Sequence, residues 1–437
     1  MLTSELSSDY LEEMDIKFVE TKILDPSGRL RSRTFPVKRF DVLKEKGFRV
    51  DGSSIGYADV EKSDMEVKLL ERAHMILPEY HTAIFLCELY DDGQPVQSFG
   101  RNILKNVLEG IPYDVKFGVE IEYYLTTPDR RPLDGALYME SAPGDTAEDF
   151  KKEFMLLTER ANSDLGIQVS HAEVGPSQHE CELTFGNPVD VLDRLILLKY
   201  LLRFFAKEKG IRATIMPKPF YEKAGNGMHY HISFWNGDES LFYGTKDEIS
   251  DIAKYAIGGV LSRVAELAIL TNNTVNSYKR LVPHHEAPVW AVWGYENRTA
   301  MVRIPKSNGL TPNNTRPEYR FVDGANEHYI AAAGVIKAMQ KGIDGKEEYE
   351  EFKGNAYQLT PQDIKKLGVP LFPTNLDEAI QFAEKENSLP REIHPDFDRF
   401  LNIKRKELKE YREFLGNARR NPGLRITEWE LDKYFNL

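Results

Sequence analysis

Apolar and polar residues alternate along several short stretches of the chain, a pattern that predicts half-buried strands. Across residues 115–125 (VKFGVEIEYYL), Val115, Phe117, Val119, Ile121 and Tyr123 share one face. Glu120 and Glu122 take the other, because successive side chains of a strand point to opposite sides. Residues 178–185 (QHECELTF) set Glu180 and Glu182 opposite Cys181 and Leu183. Residues 227–234 (GMHYHISF) set His229, His231 and Ser233 opposite Met228, Tyr230 and Ile232. Residues 316–322 (RPEYRFV) put Arg316, Glu318 and Arg320 on one side. A single strand of this type commonly has a solvated polar face. Several of them, carrying E-x-E, H-x-H and R-x-E-x-R in place of Lys, Thr and Ser, predict one shared charged surface.

The other patterns set the frame. Residues 16–24 and 30–37 read as a hairpin around the turn Asp25-Pro26-Ser27-Gly28, with Pro36 confining the second strand's end to a sheet edge. Residues 82–89 give a further strand. The Gly-, Pro- and polar-rich stretch 91–101 reads as a domain boundary. Helical spacing of apolar residues covers 149–165, 190–207, 249–270 and 400–415. A capping box, Thr427 with Glu430, opens a short aromatic helix near the end. No repeat or low-complexity segment interrupts this order.

Composition narrows the class. The chain has 437 residues, which predicts two domains or one large domain with an appendage, and 41% of them are hydrophobic, ample for a core. A net charge of −12 argues against bulk nucleic-acid binding. Cys87 and Cys181 sit in apolar patterns with no CxxC pair, so they read as small buried hydrophobes in a reducing, cytoplasmic setting. The acidic start MLTSELSSDYLEEMD lacks a signal-peptide pattern, and no apolar run is long enough for a membrane span.

If the charged faces line one cavity, Glu120, Glu122, Glu180 and Glu318 crowd together, and like charges at close range demand a cation. Residues 171–180 add Glu173. An oxygen-rich donor set with one or two histidines and no thiolate suits Mg²⁺ or Mn²⁺ better than Zn²⁺. Arg280, Arg298, Arg303, Arg316 and Arg320 supply positive charge nearby in sequence. Carboxylate-held metals and arginines are the parts phosphoryl transfer needs. No Walker-type loop is present, and Gly225-Asn226-Gly227 leads into a strand, so a nucleotide would have to lie on the sheet face.

These segments together resemble the glutamine synthetase family of the prokaryotic kind over nearly the whole chain. The carriers are Asp51-Gly-Ser-Ser-Ile55, Ser63-Asp64-Met65, Gly118-Val-Glu-Ile-Glu122, Glu173 through Gln178-His-Glu180, and Met216-Pro-Lys-Pro219. Gly227-Met-His-Tyr-His231, Asn276-Ser-Tyr-Lys-Arg-Leu-Val-Pro283, Glu286-Ala-Pro288, Asn297-Arg298, Arg303-Ile-Pro305 and Arg316-x-Glu-x-Arg320 continue the series. The resemblance implies an α+β fold: an N-terminal β-grasp-like domain (1–98), then a catalytic domain (99–437) with a curved antiparallel sheet flanked by helices and a C-terminal helical tail. It implies ligation of ammonium to the γ-carboxylate of L-glutamate, with ATP as substrate and two or more Mg²⁺ or Mn²⁺ ions per site. It implies a homododecamer with active sites between subunits.

Roles follow residue by residue from the same resemblance. Glu122, Glu173 and Glu180 would hold one metal, and Glu120, His229 and Glu318 the second. Arg298, Arg303 and Arg316 would contact phosphate, with Phe185, His231 and Ser233 near the nucleotide's base and sugar. Arg280, Arg320 and the Gly225 backbone would orient glutamate. Asp51, Tyr138 and Glu173 would form the ammonium pocket, and Glu286 a flap over the acyl phosphate. Asp51 is the candidate proton acceptor, although Asp in Asp-Gly is equally an ordinary turn residue.

Some positions depart from the family pattern. Ala224 stands where asparagine is usual, His284-His285 where Gly-Tyr is usual, and Ala172 where histidine is frequent. Asp59 stands where product-sensing members carry arginine. Tyr357 sits where some members are adenylylated, in surroundings that fit a plain surface tyrosine better. These departures leave a second reading, a ligase joining glutamate to a primary amine or polyamine. A non-catalytic relative would be free to lose metal ligands, and none is lost.

Overall fold

The computed structural model describes residues 3–282, 287–418 and 423–437. The N-terminal part forms one sheet from β1 (Phe18–Leu24), β2 (Leu30–Pro36), β3 (Phe48–Asp51), β4 (Asp64–Leu77), β5 (Thr82–Asp91) and β6 (Gln94–Pro95). Its order is β2-β1-β5-β4-β3, with β6 beside β5. The expected hairpin is present: β1 and β2 pair antiparallel from Phe18↔Pro36 to Leu24↔Leu30. β1 also runs parallel to β5, a pairing the sequence pattern does not signal. The next helix, Gly100–Glu109, starts within the stretch read as a boundary.

A larger sheet follows. It contains β7 (Asp114–Thr126), β8 (Ile167–Ala172), β9 (Gln178–Leu183), β10 (Arg212–Thr214) and β11 (Met228–Asn236). Short strands β12 (Glu239–Ser240), β13 (Trp293–Tyr295), β14 (Val302–Ile304) and β15 (Glu318–Tyr319) complete it. The order is β13-β14-β15-β11-β7-β9-β8, with β10 on β7 and β12 on β11. All these pairs are antiparallel except β13 with β14. The strand expected over residues 316–322 shrinks to Glu318–Tyr319. Pro317 has no N–H to donate to a ladder, which ends the strand on its N-terminal side.

The apolar alternation does what it predicts. Phe117, Val119, Ile121, Tyr123, Cys181, Met228, Tyr230, Ile232 and Phe234 are buried in one core. The helices Pro188–Glu208, Asp251–Thr271 and His328–Gly345 contribute to the same core. The last two lie so close that a Cβ on Gly259 would stand 2.6 Å from the Gly342 Cα. Both cysteines are buried and free.

Two contacts fix the outer parts. The turn at Gly28, with φ of +80°, meets the carbonyl of Asn326; a Cβ there would stand 2.5 Å from that oxygen. That seats the N-terminal sheet against the start of the helix His328–Gly345. At the other end, the capping box of the helix Glu428–Tyr434 is formed as expected. Its Glu430 also accepts from Asn276 at 2.9 Å and pairs with Lys279 at 2.5 Å, anchoring the tail beside Arg280. No helix among the described residues is long and apolar enough to cross a membrane.

Candidate active site

Strand register assembles the charged face. β7 and β11 pair with His229 opposite Glu120. β7 and β9 pair with Glu122 opposite Glu180 and Glu120 opposite Glu182. β11 and β15 put His231 opposite Glu318, and β14 puts Arg303 opposite the same glutamate. On the outer strand, His171 of β8 lies opposite Glu180. Alternation gives each residue its face; register decides which neighbour it meets.

One cavity is lined by Glu120, Glu122, Glu173, Glu180, Glu182 and Glu318 together with His171, His229 and His231. Arg298, Arg303, Arg316, Arg320, Tyr138, Ala224 and Gly225 line it too. Glu120 accepts from His231 at 2.7 Å and lies 3.1 Å from His229 Nδ1. Glu318, almost wholly buried, pairs with Arg303 at 2.6 Å and with Arg320. Burial opposes its charge, but Arg320, His229 and His231 outweigh burial and hold it down to about 2. Glu180 goes the other way. Burial pushes it up to about 8, and the charges of Glu120, Glu122 and Glu173 add to the rise against the pull of His171.

The donors fit a divalent cation. Among the described residues, close groups are Glu120–His229–Glu318, Glu122–Glu180–His229 and His171–Glu173–Glu180, each with ligand atoms within 4.8 Å. The first is the set the resemblance assigns to the second metal. The other two share Glu180 and divide the remaining set, with Glu173 standing beside His171. His229 Nε2 is buried with no hydrogen-bond partner and lies 3.6 Å from Glu122. A buried, orphaned nitrogen among crowded carboxylates has a lone pair that a metal ion would satisfy.

A second cavity shares Glu120, Glu182, His231 and Arg316 with the first. Phe185, Ser233, Trp235, Lys116 and Asn314 also line it. Phe185 is 57% exposed, an open aromatic face beside a polar cavity. Ser233 accepts from the Trp235 indole at 2.8 Å, and Lys116 lies over the Trp235 ring. This less polar space adjoins the arginines as a nucleotide's base and sugar would require.

The floor is tied down by buried donors. Gln178 donates to the carbonyl of Gly225 at 3.0 Å and to Glu122 at 3.2 Å, and its own oxygen accepts from Gly175. Tyr124 donates to the carbonyl of Ala224 at 2.8 Å. Arg280 is not among the cavity-lining residues. It is buried beneath Gly225 and Gly227, its guanidinium donating to the carbonyls of Arg320, Phe321 and Val322.

Asp51 is not brought to this cavity. It ends β3 on an exposed surface and accepts from the Ser53 and Ser54 hydroxyls at 2.6 and 2.5 Å. Those hydroxyls hold its carboxyl well below the usual carboxylate range. The turn-residue reading of Asp51 is therefore realised within the chain. Glu286 and His284-His285 lie outside the described residues. Tyr357 is partly buried in the short turn Ala356–Gln358, and Asp59 pairs with Arg399 at 2.9 Å.

Sequence reasoning leaves out His171, Trp235, Lys116 and Asn314, and it places Glu182 on the charged face without a role. Glu182 carries a signal, since it continues the alternation of its strand, whereas His171 shares its strand face with Ile167 and Val169 and carries none. Lys116 and Asn314 carry none apart from register and loop course.

Fold and site together define a two-domain α+β enzyme whose sheet face gathers carboxylates, histidines and arginines around one cavity. The family model described as "Glutamine synthetase, beta-Grasp domain" matches residues 15–92, and "Glutamine synthetase, catalytic domain" matches residues 98–433. The chain belongs to the glutamine synthetase family. It is 35% identical over 431 residues to a "Glutamine synthetase" of Pyrococcus horikoshii, covering 96% of each chain. It is 30% identical over 455 residues to one of Thermotoga maritima, covering all of both. A solved structure described as "Apo GmaS without ligand" superposes with a TM-score of 0.83 at 25% identity, over 97% of this chain and 98% of that one. Another, "GmaS/ADP complex-Conformation 1", gives 0.82 at 24% identity, over 98% and 99%, and supports the fold.

Proposed function

We propose that the chain uses ATP to convert the γ-carboxylate of L-glutamate to an acyl phosphate and then joins it to ammonium, giving glutamine, ADP and phosphate. The observation that carries this reading is one cavity lined jointly by clustered carboxylates and by Arg298, Arg303, Arg316 and Arg320. A carboxylate oxygen must become a leaving group before an amine can displace it, and phosphorylation supplies that. Divalent ions, Mg²⁺ or Mn²⁺, would be held by Glu122, Glu173 and Glu180 and by Glu120, His229 and Glu318, and would neutralise phosphate charge.

The chain's own residues do the rest. Arg298, Arg303 and Arg316 stabilise charge on the transferring phosphoryl group. Glu318 holds Arg303 and Arg320 in fixed positions on the cavity wall. Gln178 and Tyr124 fix the carbonyls of Gly225 and Ala224, so the Gly225 backbone meets glutamate pre-organised. Arg280 supports that floor from below. Phe185, His231 and Ser233 receive the base and sugar. Glu286 would cover the acyl phosphate against water.

Tyr138 and Glu173 form part of a cation pocket that Asp51 of a neighbouring subunit completes, in a cytoplasmic homododecamer. Asp51 would hold ammonium by charge and accept its proton.

One observation favours a different amine. Ala224 offers only a methyl group where the family usually places an amide. The test is phosphate release with ATP and glutamate, comparing ammonium with methylamine, ethylamine and putrescine. Ammonium is expected to give the highest kcat/KM by at least about tenfold, the order set by one extra methylene in a fitted pocket. A higher kcat/KM for methylamine or putrescine assigns the amine-ligase reading.

A further inference from the structure

We propose that His171 is a metal ligand: its Nε2 completes, with Glu173 and Glu180, a cation position that takes Mn²⁺ in preference to Mg²⁺. The proposal rests on the reading of Glu173 and Glu180 as metal donors and adds a nitrogen to them.

Three features of the geometry support it. First, β8 pairs with β9 so that His171 stands opposite Glu180. Its Nε2 lies 3.3 Å from Glu180 Oε1, and its Nδ1 lies 3.7 Å from Glu173 Oε1. Two donors each about 2.1 Å from one cation, at right angles, stand about 3 Å apart. Glu180 and Nε2 are at that spacing without any rearrangement.

Second, the ring is held as metal-binding imidazoles are held. Nδ1 is 3.1 Å from the backbone carbonyl of Ala172, so Nδ1–H can donate there and a cation can take the place of the Nε2 proton that faces Glu180. Tyr138 braces the ring edge-on at a centroid distance of 5.5 Å.

Third, three of the cavity's arginines are engaged away from Glu173 and Glu180. Arg303 and Arg320 are committed to Glu318, and Arg316 donates to the Asn314 carbonyl. Glu180 also belongs to the close group with Glu122 and His229, and that group contains the buried, unpartnered His229 Nε2. Glu173 and Glu180 are both largely shielded from water.

Ligand chemistry then sets the selectivity. Mg²⁺ prefers oxygen donors and retains water, whereas Mn²⁺ accepts imidazole more readily. Replacing an imidazole by an amide should therefore cost Mn²⁺ more than Mg²⁺.

The test uses the intact assembled protein and Mn²⁺ alone. Pulsed electron paramagnetic resonance detects imidazole ¹⁴N coupled to bound Mn²⁺. In a His229→Asn variant the nitrogen coupling is expected to persist, and in His229→Asn with His171→Gln it should vanish. In parallel, His171→Gln alone should lower Mn²⁺ affinity about tenfold, with Mg²⁺ affinity changed by less than about threefold. Bound Mn²⁺ with no nitrogen coupling in His229→Asn overturns the proposal, as does coupling that survives in the double variant. Equal loss for the two metals overturns it too. Wild-type protein that binds no Mn²⁺ overturns both this proposal and the metal reading beneath it.

Discussion

Glu318→Gln is expected to lower kcat/KM for metal-ATP by roughly 10²–10³-fold, the range for losing one pre-organised electrostatic group. Three contacts make the effect large. Glu318 belongs to a close group with Glu120 and His229, and it also pairs with Arg303 and Arg320. Neutralising it removes a metal donor and leaves two guanidinium groups without their carboxylate. Stability should fall as well, because Arg320 is buried and breaking a buried pair costs about 3–5 kcal/mol. Turnover should therefore be measured well below the variant's unfolding midpoint, with the metal concentration varied. Partial recovery at high metal marks Glu318 as a ligand. Turnover within threefold of wild type at ordinary metal would remove Glu318 from the site.

Asp51→Asn is expected to cut ammonium-dependent synthesis by about 10²–10⁴-fold, the span of a lost acid–base group. ATP consumption without ammonium should continue, because no phosphate or metal contact is touched. Equal loss of both activities would make Asp51 a turn residue and nothing more. The same variant locates the shared site. Asp51 lies at the end of β3, in the sheet that precedes every candidate metal donor, and it does not line the cavity of its own chain. Head-to-tail packing would bring it to a neighbour's sheet. Asp51→Asn and Glu318→Gln subunits, reassembled in equal amounts, should then regain about a quarter of wild-type sites, the product of two independent halves for a heterologous interface. Confirmed mixed assemblies with no activity above either parent would place the site within single subunits.

Much of this architecture is legible in the amino-acid sequence. A period of two in charged residues names the faces of β7, β9 and β11, because alternation is imposed by the pleat itself. The capping box at Thr427 is legible for the same local reason. Pairing is not. Nothing in QVSHAE says that His171 stands over Glu180, since register is set by contacts distant in sequence. Nor does sequence show that Arg280 lies under the floor: an arginine beside a cavity and one beneath it read alike until packing is known. Pro317 carries a signal against a long strand, yet the alternation of Arg316, Glu318 and Arg320 survives, and all three still line the cavity.

Activation of the glutamate γ-carboxylate by phosphorylation is the step on which every other proposed role depends. Glutamate labelled with ¹⁸O in that carboxylate, incubated with ATP, ammonium and Mg²⁺, tests it most directly. One labelled oxygen should move from glutamate into each phosphate released, because the acyl phosphate breaks at the carbonyl carbon. Release of unlabelled phosphate, with the oxygen lost from the γ-carboxylate recovered in water, would contradict it.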